Sequence, residues 1–400
     1  MKWLRPGNFW DSDNPYEFSI NDLGLGEWSY TYGGSQLVSG ASYYITTKID
    51  DYAENLTDWF NIDGSTFVFD VTAPTSTVTY PQEGGFYKSL TVISGTQSDV
   101  YPFEGALVAG VPVSVGAVKV SIRDLTYPST YWLDGSGWIE GSEVWNNVNV
   151  YTSSWVYNTS TVLWQTGRKY RIRSRAYDAA QPTANDQETQ FPSGGYSITF
   201  DTTVPQVGIV VPNYGYYSES NPLDTISGTA VDYPSVPLHK SDIDLVYIQI
   251  TSGTYYWTGS SWSVNSMWRI AGYSGGIWEY PAGTGDSLPN WSDSVDFGIK
   301  VYAVDKAGNV SSQASWNFKY DTQLPVSVIQ LPNKAYHKGG ELIIISGTSA
   351  DLGNNPSGLL KTEVAIYNVN TDRWWSWQGQ TFNLTTASYT ITNLGTASNW

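Results

Sequence analysis

Phe69-Asp70-Val71-Thr72-Ala73-Pro74 returns as Phe200-Asp201-Thr202-Thr203-Val204-Pro205 and again as Tyr320-Asp321-Thr322-Gln323-Leu324-Pro325. Each copy sets a proline four residues after its aspartate and a second proline seven residues further on, at Pro81, Pro212 and Pro332. A third block follows in the same order: Ile93-Ser94-Gly95-Thr96 with Asp99, Ile226-Ser227-Gly228-Thr229 with Asp232, and Ile345-Ser346-Gly347-Thr348 with Asp351. From first to last aspartate the copies span 29, 31 and 30 residues, and they start 131 and 120 residues apart. Blocks in fixed order at near-constant offsets are an internal repeat. The period is the length of a domain, not of a solenoid coil.

The repeat divides the chain into residues 1–69, 70–200, 201–320 and 321–400. The middle two segments are expected to be complete repeats. The first carries only closing features: Tyr43, Ile45, Thr47 and Ile49 alternate up to Asp51, with Asn55 four residues on, as Phe297, Ile299, Val301 and Ala303 do up to Asp305 and Asn309. The last carries only opening features and ends at Ala397-Ser398-Asn399-Trp400, similar to Leu288-Pro289-Asn290-Trp291. One chain's first 69 residues are therefore candidates to complete another's last 80 by strand complementation, which gives fibres of identical chains. A gene fragment cut out of register with its domains explains the same ends.

Period-two alternation predicts strands. In the first complete repeat they are expected at 76–80, 89–94, 117–122, 169–177 and 196–200. Tyr170, Ile172, Ser174 and Ala176 face inward there, which sends Arg171, Arg173 and Arg175 to the opposite face as a solvated row or an anionic-glycan contact. After Asp178 the sequence Ala179-Ala180-Gln181-Pro182 replaces the Gly-Asn turn of the second repeat. Val246, Ile248 and Ile250 match Val118, Val120 and Ile122, with Val364 and Ile366 in the same role. Trp132/Trp138, Trp257/Trp262 and Trp377/Phe382 each bracket a glycine-containing turn, so each pair is expected to meet across a hairpin. Trp28/Tyr30, Trp155/Tyr157 and Trp278/Tyr280 recur at spacing two, each with both rings on one face. No helical periodicity stands out.

The formal charge of −17 and pI near 4.4 disfavour nucleic acid and anionic membrane surfaces as partners and leave cations open. There is no cysteine, hence no disulfide and no thiol chemistry. No apolar run reaches membrane-spanning length; 105–120 comes closest and is broken by Pro112. Met1-Lys2-Trp3-Leu4-Arg5-Pro6 lacks the apolar core of a secretory leader.

Asp-Thr-x-x-Pro at 201–205, Ile-Ser-Gly-Thr-Ala-x-Asp at 226–232 and Val301-Tyr302-Ala303-Val304-Asp305-Lys306-Ala307-Gly308-Asn309 resemble the tandem bacterial immunoglobulin-like repeats of large cell-surface proteins and adhesins. The resemblance implies an all-β chain of tandem immunoglobulin-like sandwiches in an elongated array, each with about seven strands in two packed sheets. It also implies an extracellular structural or adhesive stalk. The alternative is a carbohydrate-binding accessory region of a secreted glycan-active protein.

Catalysis has little support. His239 and His337 are the only histidines and neither lies in a nucleophile or zinc arrangement. Calcium is the candidate ligand, since the linker set Asp70, Asp201, Asp321 and the Gly-Thr set Asp99, Asp232, Asp351 supply hard oxygens at each repeat junction. The competing role for each aspartate is capping its own turn. A glycan contact is expected, if anywhere, at Trp374, Trp375 and Trp377. The other aromatics read as core and cross-strand pairs.

Overall fold

The computed structural model describes residues 3–5, 9–12, 21–24, 26–32, 37–57, 64–99, 116–127, 129–180, 183–187, 194–233, 239–283, 285–342 and 344–391. The closing tetrapeptide 397–400 and most of the apolar run 105–120 lie outside them. The chain divides into two compact units, Met1–Thr202 with Val236–His239, and Thr203–Ser235 with Lys240–Trp400. No described helix is long and apolar enough to cross a membrane.

In the first unit, residues 75–200 form two facing sheets. One runs in the order Gly137–Glu140, Thr130–Leu133, Ala117–Asp124, Arg168–Tyr177, Tyr196–Phe200, Phe86–Tyr87, and Asn146–Asn147 also pairs with Ala117–Asp124. The other runs Asn149–Val150, Ser154–Asn158, Val92–Ser98, Thr75–Tyr80. Val78, Ile93, Trp155 and Tyr157 from the second sheet pack on Val120, Ile122, Ile172 and Ile198 from the first, all buried. Alternating apolar residues on two sheets can hide only against each other, so a sandwich results. Tyr170, Ile172, Ser174 and Ala176 are all buried, as their alternation requires. The strand expected at 89–94 lies instead at Val92–Ser98. Residues 88–91 cross between the sheets, because Phe86–Tyr87 belongs to the other one, and Leu90 plugs the core on the way.

The second unit repeats the design in residues 206–320. Its strands run Gln206–Val211, Ile226–Val231, Ile277–Tyr280, Arg269–Ser274, Ile243–Ser252, Val295–Asp305, Ala314–Tyr320, Tyr216–Tyr217. Here Arg269–Ser274 pairs on both sides, with Ile277–Tyr280 and with Ile243–Ser252, and joins the two layers. In the first unit the corresponding stretch is split at Val148 into Asn146–Asn147 and Asn149–Val150, so the layers stay separate.

The Ile-Ser-Gly-Thr motif has a packing cause. Trp155 and Trp278 are fully buried, and their rings lie over Gly95 and Gly228. A Cβ on Gly95 would stand 1.9 Å from the Thr77 carbonyl oxygen and 2.4 Å from the Trp155 ring. On Gly228 it would stand 1.9 Å from the Gly208 oxygen and 2.6 Å from the Trp278 ring. Only glycine lets a neighbouring strand and an indole approach this closely. The indole N–H is satisfied by a backbone carbonyl each time, Thr96 at 3.2 Å and Gly208 at 3.0 Å.

Trp132–Trp138 and Trp257–Trp262 are cross-strand pairs with centroids 5.6 and 5.3 Å apart. The third hairpin departs from expectation. Phe382 pairs with Trp375 (5.0 Å), not with Trp377, because strand Arg373–Ser376 ends before Trp377 and the turn takes up residues 377–380. Val364 lies in strand Glu363–Val364, whereas Ile366 lies outside any strand.

Candidate metal centre

Three strand ends converge at one rim of the first sandwich. Asp70 lies on the approach to Thr75–Tyr80, Asp99 follows Val92–Ser98, and Asp178 follows Arg168–Tyr177. Thr75 pairs with Ser98, which puts the first two at the same end of one sheet. Buried Gln187 ties that sheet to the other. Its Oε1 accepts from the Ser76 N–H (2.9 Å), the Ser76 hydroxyl (2.7 Å) and the Ala176 N–H (3.0 Å), and its Nε2 donates to the Ser76 carbonyl (3.0 Å). Asn185 adds a second tie, donating from Nδ2 to Asp178 Oδ2 (2.6 Å) and to the Asp70 carbonyl (3.2 Å).

One carboxylate oxygen from each of Asp70, Asp99 and Asp178 then lies within 4.8 Å of the other two. Asp178 is buried and well supplied with donors: the N–H groups of Ala180 (3.0 Å) and Asn185 (2.7 Å) reach Oδ1, and Asn185 Nδ2 reaches Oδ2. Asp70 Oδ1 accepts from Ser39 Oγ (3.1 Å) and the Thr72 N–H (2.9 Å). Asp70 Oδ2 and Asp99 Oδ2 are shut off from solvent with no hydrogen-bond donor among the described residues. No described lysine or arginine pairs with any of the three, and residues 100–115, which follow Asp99, contain neither type. Burial, together with the nearby Asp70 and Asp178 carboxylates, pushes the Asp99 carboxyl up to about 7.

Such a cluster holds either a proton or a hard cation. Two oxygens bound to one calcium lie at most about 5 Å apart, twice its usual 2.3–2.6 Å bond length. The observed separations fit that limit, and the two orphaned oxygens are the acceptors a cation would satisfy.

Of the other expected aspartates, Asp321 and Asp351 differ. Asp321 and Asp351 are bridged by protein donors. The Ser357 N–H donates to Asp321 Oδ2 (2.7 Å), Ser357 Oγ to Asp351 Oδ2 (3.3 Å), and the Gly358 N–H to Asp351 Oδ2 (2.6 Å). Asp201 is buried and accepts from Thr166 Oγ1 at 3.3 Å. Asp232 is buried, accepts from Ser241 Oγ at 3.3 Å, and brings an oxygen within 4.8 Å of one from Asp305.

The sequence marks Asp178 only as one of a recurring closing-strand set with Asp51 and Asp305, not as a ligand, and it does not mark Asn185. The signal was present in the closing turn. Asn309 donates its N–H and Nδ2 to the two oxygens of Asp305 (2.8 and 2.9 Å), and Asn55 does the same to Asp51 (2.9 and 2.7 Å). After Asp178 the loop is longer, and Asn185, seven residues on, makes the same clamp.

Trp374, Trp375 and Trp377 are half-buried. Trp374 packs on Tyr367 (4.8 Å), Trp375 on Phe382 and Trp377, and Trp377 Nε1 donates to the Ser388 carbonyl (2.9 Å).

Among solved structures the chain is similar to the fibronectin(III)-like modules of Clostridium thermocellum CbhA, at 12% identity over 62% of this chain and 95% of that one, with a TM-score of 0.25. It is similar to the FN1-FN3 domains of chicken CNTN1 at 13% identity over 75% and 90%, with a TM-score of 0.26. It is also similar to an I-band fragment of titin at 6% identity over 75% and 86%, with a TM-score of 0.30. No protein-family model matches the chain, and no curated protein does. The chain is all-β and built of tandem immunoglobulin-like sandwiches, a conclusion that rests on the strand order and facing cores described above.

Proposed function

We propose that this chain is a non-catalytic structural or adhesive stalk segment of an extracellular bacterial cell-surface protein. Its four segments are then successive immunoglobulin-like repeats, the first complete one fixed at its entry by calcium between Asp70, Asp99 and Asp178. The observation that carries the calcium reading is the pair of buried, donor-free oxygens on Asp70 and Asp99 facing a third carboxylate. A site with three acidic ligands suits the weak affinities of extracellular modules, where calcium is abundant. An ion there ties the linker aspartate to both sheets, which is the useful place to stiffen a load-bearing repeat.

The partners in this reading are neighbouring repeats or identical chains. Apolar residues stand open in the first and last segments: Ile45 and Ile49 are exposed where their counterparts Ile299 and Ala303 are buried, and Ile329 is exposed where its counterpart Ile209 packs on the core. A monomeric mass at high protein concentration would count against identical-chain pairing.

The test of the ion is thermal unfolding of the full chain in calcium and in chelator. The expected result is an upward shift of the first transition by several degrees in calcium; an unchanged midpoint removes the ion from the proposal.

A further inference from the structure

The arginine row of strand Arg168–Tyr177 does not stand alone. Antiparallel pairing with Ala117–Asp124 sets Lys119 opposite Arg175, Ser121 opposite Arg173, and Arg123 opposite Arg171. Lys119, Arg123, Arg171, Arg173 and Arg175 therefore share the outer face of one sheet, in a chain with only 20 basic residues and a net charge of −17. Like charges directly opposite each other on a sheet are destabilising. Two of the five are answered by acids: Arg173 Nη1 bonds Glu143 Oε2 (2.7 Å), and Arg175 bonds Asp186. The other three are not. Among the described residues no carboxylate forms an ion pair with Lys119, Arg123 or Arg171. Glu83 accepts from the N–H of Ser197, the residue opposite Arg171 on the next strand, at 2.6 Å. The Nε atoms of Arg123 and Arg171 are shut off from solvent with no acceptor among the described residues.

We propose that this face, centred on Lys119, Arg123 and Arg171, binds an anionic polysaccharide through its carboxylate or sulfate groups. Guanidinium groups suit such anions, because their N–H groups match the geometry of paired oxygens. Alternate residues on a strand stand roughly 7 Å apart and adjacent strands about 5 Å, so the cations form a two-row grid that a linear polyanion can follow. Aromatic rings hold the grid in place. Tyr131 lies under Arg123 (5.7 Å), Trp145 under Arg173 and Arg175 (5.4 and 5.5 Å), and Tyr177 under Lys119 and Arg175 (5.3 and 5.0 Å). Rings covered by cations offer no platform for base stacking, which single-stranded nucleic acid uses. The acidic remainder of the chain also repels long, densely charged nucleic acid. A polysaccharide with spaced charges meets neither obstacle.

The experiment measures binding of the full chain, in chelator and at low salt, to chondroitin sulfate, polygalacturonate, uncharged dextran and single-stranded oligothymidylate. Binding to at least one anionic polysaccharide, lost as salt rises, and none to uncharged dextran is the expected result. The double variant Arg123→Gln/Arg171→Gln should bind at least tenfold more weakly, with its unfolding midpoint unchanged or raised. Arg123→Lys/Arg171→Lys should stay within about threefold of the native chain, and Lys119→Gln gives an independent reading if the double variant unfolds. No binding to either anionic polysaccharide overturns the proposal. So does equal binding by the folded Gln variants, or oligothymidylate bound as tightly as the polysaccharides.

Discussion

Replacing Asp99 by Asn should change sign with calcium. In the metal-free protein above pH 7 the Asp99 carboxylate is held ionised beside two others, although its folded pKa has risen from 3.8 to about 7. The unfolded chain carries the same charge at little cost. At about 1.4 kcal/mol per pKa unit, a rise of roughly three units sets a ceiling near 4 kcal/mol. Asp99 keeps part of its surface in water, so the figure falls to about 2 kcal/mol after solvent screening. In chelator at pH 8, Asp99→Asn should therefore raise the midpoint of the first transition by roughly 5–8 °C. In calcium the order reverses. An ion at a hundred times its dissociation constant adds about 2.7 kcal/mol to the native protein, and the variant loses that gain. The folded state binds the Asp99 proton more tightly than the unfolded state does. The native protein in chelator should accordingly lose stability relative to the variant as pH rises from about 4 to about 7, with no further change above. The assay is thermal unfolding followed by calorimetry or near-ultraviolet circular dichroism, native and variant, with and without calcium. A variant less stable than the native chain in chelator at pH 8, or one that keeps the full calcium shift, would refute the reasoning.

Gly228→Ala should cost about 3 kcal/mol or more, since the added methyl meets a backbone oxygen and a buried indole that have nowhere to go; denaturant unfolding of the second unit measures it. Gln187→Leu should cost about 2–4 kcal/mol by stripping the Ser76 and Ala176 groups of their buried partner, and it should weaken any calcium response at the same rim. Asn309→Ala removes the Nδ2 donor from buried Asp305 while keeping the backbone N–H, and is expected to cost roughly 2 kcal/mol. In the exposed turn the matching Asn55→Ala should cost well under 1 kcal/mol.

Much of the fold was legible because its signals are local. Alternation has a period of two, so Tyr170, Ile172 and Ala176 declared the inner face of their strand and Arg171, Arg173 and Arg175 the outer one without reference to any other residue. The hairpins Trp132–Trp138 and Trp257–Trp262 were legible for the same reason, their partners being a few residues apart. Trp377 misled because the turn takes up residues 377–380, so Ser376 and Thr381 form the pair nearest the turn and Phe382 falls opposite Trp375. The candidate site was legible only in part. The recurrence of Asp70 and Asp99 marked both as important, and each alone is indistinguishable from a turn cap.

By itself the sequence determined the repeat, the strand faces and the Trp132–Trp138 and Trp257–Trp262 hairpins, all consequences of spacing along the chain. The tertiary structure alone decided that Asp178 joins Asp70 and Asp99, that Asn185 stands in for a missing turn asparagine, and that Arg123 completes the arginine row. These depend on which strand ends share a rim and which strands lie side by side. Closure of two sheets over a common core settles that between residues about a hundred positions apart, and no local period carries it.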